Sequence, residues 1–438
     1  MSKNKVKPSI LAGFMELIPS DQILFNKMMD TIRENYERFG FLPIDTPVIE
    51  KAEVLLAKGG GETEQQIYRF TKGDSDLALR FDLTVPLARY VAQHFSELTF
   101  PFRRYHIGKV YRGEKAQRGR FREFYQCDID IIGNGSLGII NDAEIPSIIY
   151  STFKDLGFDS FTIKINNRKV LNGFFQWLGI KDSVETLRAI DKLEKIGLEG
   201  VVKELEKLGL DSTTIEKIME FIQIKGSNEE KIESLKKLSV ENEVFKKGVE
   251  ELELVNHYVE LFGVPKDNYS IDLTIARGLD YYTGTVYETF LDDYPQIGSI
   301  CSGGRYDNLA EYYTNQKLPG VGISIGLTRL FYQLMEAKLI EAEESSLTKV
   351  IIIPMENCLE KAVEIGYILR ENKINTQIYL EKAKMGKKFG YADKLNIPYV
   401  IIIGEEELKE NKYTLRDMKT GEQFMLTLEE ILSKFDAN

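Results

Sequence analysis

Ile23, Met28, Ile32, Tyr36 and Phe39 recur at close to helical spacing, which predicts an amphipathic helix over 22–39, capped at Ser20 or Asp21 and ended by Gly40. The pattern then changes. From 41 to 122, proline-punctuated β-favouring stretches such as 41–49 and 77–80 alternate with helical ones such as 85–94, the signature of an α+β domain. No proline occurs between Pro146 and Pro265. Within that span the chain turns Lys/Glu-rich near 181, with apolar residues three and four apart, as in Val201, Val202, Leu205 and Leu208. This predicts a helical insertion over about 170–261.

Strand-like sequence resumes at 269–275 and 285–290, followed by clustered glycines at 298–304 and 320–326, so the first domain continues after the insertion to about 345. A polar linker at 341–348 precedes a strand, helix, strand, helix, strand pattern at 350–353, 358–371, 376–379, 384–395 and 399–403. That alternation implies a second domain, 349–438, of α/β type with parallel strands.

The chain is 438 residues long, 43% hydrophobic and 29% charged, which excludes a disordered or collagen-like protein and a small binding module. The longest apolar runs fall far short of a membrane span and the start carries no apolar signal core, so a cytoplasmic location with no membrane partner is expected. Cys127, Cys301 and Cys358 are too far apart for a Cys-x-x-Cys site, and no disulfide framework is expected. Whether Cys301 is reactive is open at this level. The net charge of −11 argues against a general nucleic-acid coat protein, but residues 103–122 hold eight Lys or Arg against the single acid Glu114, so an anionic ligand is expected there.

The stretch RGEKAQRGRFREFYQCDID (112–130) reads either as a solvated charged hairpin or as a ligand-bearing sheet. For the second, a strand's period of two puts Phe124, Gln126, Asp128 and Asp130 on one face, with Arg112 and Glu114 on a face of the preceding strand. Arginine forks onto phosphate or carboxylate oxygens, an aromatic ring stacks on a base, and buried acids accept N–H bonds. ARGLDYYTGTVYE (276–288) sets an Arg-Gly pair before two tyrosines, and SGGRYD (302–307) reads as a Gly-Gly turn. GVGISIG misses the dinucleotide-binding spacing by one residue and no Walker A loop occurs. His106-Ile107-Gly108-Lys109 and Lys384-Met385-Gly386-Lys387-Lys388 look like degenerate class I synthetase signatures. The first lacks its final histidine and the second lies in the wrong domain.

Taken together, GFLPIDTPVIE, RGEKAQRGRFREFYQ and GVGISIGLTRL resemble motifs 1, 2 and 3 of the class II aminoacyl-tRNA synthetases. ARGLDYYTGTVYE and CSGGRYD resemble the two signatures of the histidyl-tRNA synthetase family. The resemblance implies a class II catalytic domain built on a six-stranded, mostly antiparallel sheet flanked by helices, a homodimer contacted through 41–50, and a C-terminal anticodon-binding domain. It implies ATP as substrate with Mg²⁺ bridging its phosphates, and L-histidine and histidine tRNA as partners.

Carried over by position, Asp82, Leu83 and Thr84 with Gln126 would hold the histidine α-amino group, and Asp130 with Tyr281 and Tyr282 would face the imidazole. Arg112 would meet the α-phosphate, Glu114 would place the nucleotide, Phe124 would stack on adenine and Arg329 would reach the terminal phosphates. Arg277 would be the catalytic residue, stabilising charge on the α-phosphate. Gln117 and Arg118 would meet the acceptor end of the tRNA, and Lys387 and Lys388, within the run Lys382, Lys384, Lys387, Lys388, the anticodon stem. Thr328 departs from the Glu that many relatives carry before the motif 3 arginine. A non-catalytic relative regulating an ATP phosphoribosyltransferase is the alternative, and the retained arginines and extra ninety residues stand against it.

Overall fold

The computed structural model describes residues 6–57, 62–115, 119–180, 183–275 and 281–436. These form two compact units, Met1–Met15 with Met28–Ala337, and Glu16–Lys27 with Lys338–Asn438. The expected first helix is α1 (Pro19–Arg38), and Gly40 follows it with φ +77°.

In the larger unit, β1 (Leu42–Pro43), β2 (Phe102–Tyr111), β3 (Glu123–Ile132), β4 (Phe161–Asn167), β5 (Tyr269–Ile271), β6 (Thr285–Leu291), β7 (Cys301–Tyr306) and β8 (Gly320–Ile325) make one sheet, ordered β1-β2-β3-β8-β7-β6-β4-β5. The central strands from β2 to β4 pair antiparallel throughout. The short edge strands β1 and β5 add on parallel, so the six-stranded expectation holds for the centre and the sheet extends to eight. Edges this short leave little unpaired backbone.

Alternation decides which face each side chain takes. Cys127, Ile129 and Ile131 of β3 point away from Gln126, Asp128 and Asp130, and all six are buried. The back face is covered in part by α1, whose Tyr36 hydroxyl donates to the Cys127 carbonyl at 2.9 Å. It is also covered by α3 (Ile140–Asp155), which follows α2 (Thr84–Gln93) in the chain. There Arg305 donates through Nε and Nη2 to the fully buried Asp142 carboxylate, which also accepts from Thr285 Oγ1 at 2.7 Å. The arginine of SGGRYD therefore bolts helix to sheet. Its Gly303-Gly304 pair lies inside β7, not in a turn, because both residues are paired on each side. Cys301 is buried, and burial pushes its thiol far above the usual range, which disfavours the thiolate form.

Between β4 and β5 the described residues form six helices, α4–α9: Arg168–Trp177, Ser183–Asp191, Leu193–Lys207, Ser212–Ile222, Asn228–Lys237 and Glu243–Leu261. Leu193–Lys207 is broken at Gly197, φ +68°. Side-chain caps at Asn167, Asp211, Ser227 and Asn242 start four of them. Helix α10 (Leu327–Glu336) follows β8.

The smaller unit has a sheet of β9 (Val350–Pro354), β10 (Thr376–Ile378), β11 (Tyr399–Ile403), β12 (Tyr413–Asp417) and β13 (Gln423–Leu426), ordered β10-β9-β11-β12-β13. The first three are parallel, as the alternating pattern predicts, and β12 and β13 add antiparallel. That hairpin lies beyond the last element the alternating pattern picks out, at 399–403. Helix α11 (Leu359–Glu371) packs over Val350 and Ile352, and α12 (Met385–Lys394) over Ile351 and Ile353, so β9 is apolar on both faces.

Candidate active site

On the front face, strand register assembles polar side chains from far-apart segments into rows. One row runs Arg104, Asp130, Gly322, Gly304, and the next His106, Asp128, Ser324, Ser302, Glu288. A cavity of about 770 Å³ opens above them, lined among others by Asp82, Thr84, Arg112, Glu114, Phe124, Gln126, Asp128, Asp130, Tyr281, Tyr282, Ser324 and Arg329. The glycines make the room. A Cβ on Gly322 would overlap the Asp130 carboxylate and the Ile129 carbonyl, and one on Gly304 would lie 2.7 Å from the Thr285 carbonyl and 3.0 Å from the Tyr282 ring.

Asp130 is gripped on both oxygens: Oδ2 pairs with Arg104, and Oδ1 accepts from the Tyr306 hydroxyl at 2.7 Å. Arg104 is 0% exposed and also donates to the Leu83 carbonyl. Leu83 thus lies buried beneath the cavity and offers its carbonyl to that arginine. Asp82 Oδ1 accepts from the Thr84 and Val85 amides at 3.0 and 2.8 Å, which caps α2. Gln126 Nε2 donates to Ser324 Oγ at 2.8 Å, and the serine in turn hydrogen-bonds Asp128. This orients the amide, leaving Gln126 Oε1 and Asp128 Oδ1 buried without a partner among the described residues.

Burial dominates the electrostatics. It raises Asp128 to about 7 and Asp130 to about 6, with Arg104 as the main opposing influence in each case. Asp82 is raised as well, by burial against its two amide bonds and Arg112. Burial also raises Tyr281 and Tyr282, whose rings meet edge to face at 4.9 Å.

The Arg112 guanidinium lies 4.4 Å over Phe81 and 5.1 Å over Phe124, close enough to Asp82 to oppose the rise of its pKa. Arg112 and Glu114 lie beyond the end of β2 at Tyr111, so they share no strand face, though both line the cavity. Arg112 donates its Nε to Phe81 O and its amide to Arg122 O. Arg329, on the first turn of α10, donates to Ile297 O at 3.0 Å. Thr328 beside it accepts the Tyr125 amide at 2.8 Å, a structural use of the departing residue.

Much of the basic excess of 103–122 is answered internally. Arg103 pairs with Glu144, Arg104 with Asp130, Lys109 with Glu123 and Arg120 with Glu114. His106 is buried against Asp45, its pKa lowered to about 3 by burial and by Arg104 and Arg80. Arg277, Gln117 and Arg118 lie outside the described residues. In the smaller unit Lys387 is exposed, but Lys388 is not: it is 9% exposed and donates Nζ to Pro354 O at 2.8 Å, over the Tyr379 ring. Helical rotation of 100° per residue turns it inward and removes it from the expected anticodon-stem contact. Arg104, Ser324 and Tyr306 were missed by the sequence reading. Alternation along β2 and β8 was the available signal for the first two.

An antiparallel sheet with this polar floor and flanking arginines defines a class II aminoacyl-tRNA synthetase catalytic unit. A profile of the histidyl-tRNA synthetase family matches residues 13–330, and one of an anticodon-binding domain matches 349–438. The chain belongs to the histidyl-tRNA synthetase family. It is 69% identical over 433 residues to a histidine–tRNA ligase of Clostridium tetani, covering 99% of each chain. It is 51% identical over 429 residues to that of Finegoldia magna, covering 98% of this chain and 99% of the other. Its structure is similar to the crystal structure of histidyl-tRNA synthetase from Nostoc, with TM-score 0.91 and 42% identity, covering 99% of this chain and 100% of that one.

Proposed function

We propose that the chain is a histidine–tRNA ligase, joining L-histidine to histidine tRNA at the expense of ATP through histidyl-adenylate, with release of AMP and diphosphate. The observation that carries this reading is the cavity itself, whose lining combines acceptors for an amino acid's N–H groups, Asp82, Gln126 and Asp130 among them, with Arg112, Phe124 and Arg329. The full-length relatives named histidine–tRNA ligase favour it over the regulatory-subunit alternative.

In this reading Asp82, Thr84 and Gln126 receive the α-ammonium, and Asp130, Tyr281 and Tyr282 enclose the imidazole. Phe124 stacks on adenine, Arg112 and Arg329 bind phosphate oxygens and Glu114 positions the nucleotide. Arg277 stabilises the charge that grows on the α-phosphate as the histidine carboxylate attacks in line. That carboxylate is ionised at neutral pH, so the step needs no general base. Among the described residues no cluster of three or more His, Cys, Asp or Glu is arranged to hold a metal. Mg²⁺ would enter with the nucleotide, beside Arg112 and Arg329, and would supply further neutralisation of phosphate charge.

Gln117 and Arg118 meet the acceptor end of the tRNA and Lys387 its anticodon stem. The protein works in the cytoplasm as a homodimer, and the exposed Leu42 and Ile49 supply apolar surface for a partner copy to cover. No helix among the described residues is long and apolar enough to cross a membrane.

The test is exchange of labelled pyrophosphate into ATP without tRNA. Histidine alone among the amino acids should support it, and Arg277→Ala should abolish it. Absence of histidine-dependent exchange from folded protein with Mg²⁺ refutes the reading.

A further inference from the structure

Arg80 directly precedes the segment that supplies Phe81, Asp82 and Thr84 to the cavity, yet it does not line the cavity itself. It is buried, and its guanidinium is held on several sides. Nε donates to the Lys109 carbonyl at 2.7 Å and Nη1 to the Thr46 carbonyl at 2.5 Å, with Asp45 Oδ1 at 3.2 Å and His106 Nε2 at 3.3 Å from Nη1. Gly108 makes the room, since a Cβ there would lie 2.5 Å from Arg80 Nη2 and 2.9 Å from His106 Nε2. The backbone is tied at the same place. The Arg80 amide donates to the Val48 carbonyl and its carbonyl accepts the Tyr111 amide, each at 2.9 Å.

These bonds continue into the cavity. Arg112 donates its Nε to the Phe81 carbonyl at 3.3 Å and lays its guanidinium 4.4 Å over the Phe81 ring. Residues 80–81 therefore run alongside 109–112, and a shift of Arg80 moves both the carbonyl and the ring that hold the Arg112 guanidinium. The next residues have anchors of their own: Asp82 is fixed by the Thr84 and Val85 amides, and the Leu83 carbonyl by Arg104. We propose that Arg80 is a positioning residue for ATP binding, which clamps residues 45–46 to the end of β2 and so sets Phe81 where it aims Arg112 at a phosphate. This rests on the ligase reading above, in which Arg112 binds phosphate oxygens. A guanidinium can hold two carbonyls in a fixed plane, whereas a lysine at the same position is a single flexible point of contact.

The experiment is pyrophosphate exchange by wild type, Arg80→Lys and Gly108→Ala, each substitution also made in an Arg112→Lys background, with ATP and histidine varied in turn. Gly108→Ala removes no donor and only crowds the Arg80 guanidinium, so it tests the same placement if Arg80→Lys does not fold. Each substitution should lower kcat/KM for ATP about 10- to 100-fold, the range for a misplacement of about 1 Å caused from outside the site, while KM for histidine stays within about threefold of wild type. Arg112→Lys keeps a charge for the phosphates but has no guanidinium for Phe81 to hold. In that background the further loss should shrink to about twofold or less. Equal losses in the two backgrounds would make Arg80 a purely structural residue and overturn the inference. An unchanged kcat/KM for ATP in either folded variant, or a loss confined to histidine, overturns it as well. Wild-type exchange that does not depend on histidine overturns the ligase reading and this inference together.

Discussion

Replacing Asp128 by Asn should make the empty enzyme more stable, and by an amount that grows with pH. An unperturbed aspartate titrates near 3.8 and burial raises Asp128 to about 7, so the folded protein holds this proton more tightly than the unfolded chain does. A raised folded value contributes stability that is fully present below 3.8 and is lost as pH climbs to about 7. At about 1.36 kcal/mol per pH unit, the ionised group costs on the order of 4 kcal/mol at pH 8. Asparagine carries no charge at any of these values. The difference in unfolding free energy, variant minus wild type, should therefore widen steadily from pH 4 to pH 7 and level off above it. Denaturant or thermal unfolding of both proteins at pH 5, 6, 7 and 8 measures this directly. A difference that stays constant across pH would refute the argument that burial, and not a compensating partner, governs this carboxylate.

Three further outcomes follow from other contacts. Gly322→Ala should reduce histidine activation at least 100-fold in folded protein, because the added methyl overlaps the Asp130 carboxylate, and near-normal kinetics count against the assigned floor. Asp142→Asn should destabilise the larger unit by about 3–5 kcal/mol, since it leaves the Arg305 guanidinium buried without its carboxylate. A denaturation midpoint close to that of the wild type would contradict it. Lys387→Glu should flatten the slope of log tRNA affinity against log salt by about 1 and Lys388→Glu should instead impair folding, so an unchanged slope in the former removes the lysine from the tRNA surface.

The sequence by itself determined the elements and their kinds. Helical periodicity marked α1 and the insertion, and strand and helix alternation marked the parallel core of the smaller unit, because these are local consequences of where apolar side chains recur. Motif resemblance determined the family and the residues that line the cavity, among them Asp82, Thr84, Arg112, Phe124, Gln126, Asp130, Tyr281, Tyr282 and Arg329.

Only the tertiary structure decided which charges are free to act. Arg104, Arg305 and Lys388 read as members of basic or glycine-rich motifs, yet each is turned inward to Asp130, Asp142 or Pro354. Asp128 read as one more polar residue on an alternating strand and emerged as the carboxylate with an unused oxygen. The physical reason is the same in each case. Periodicity assigns a side chain to a face, but whether its hydrogen-bonding capacity is already taken depends on partners brought from dozens to hundreds of residues away by strand register, which no local pattern contains.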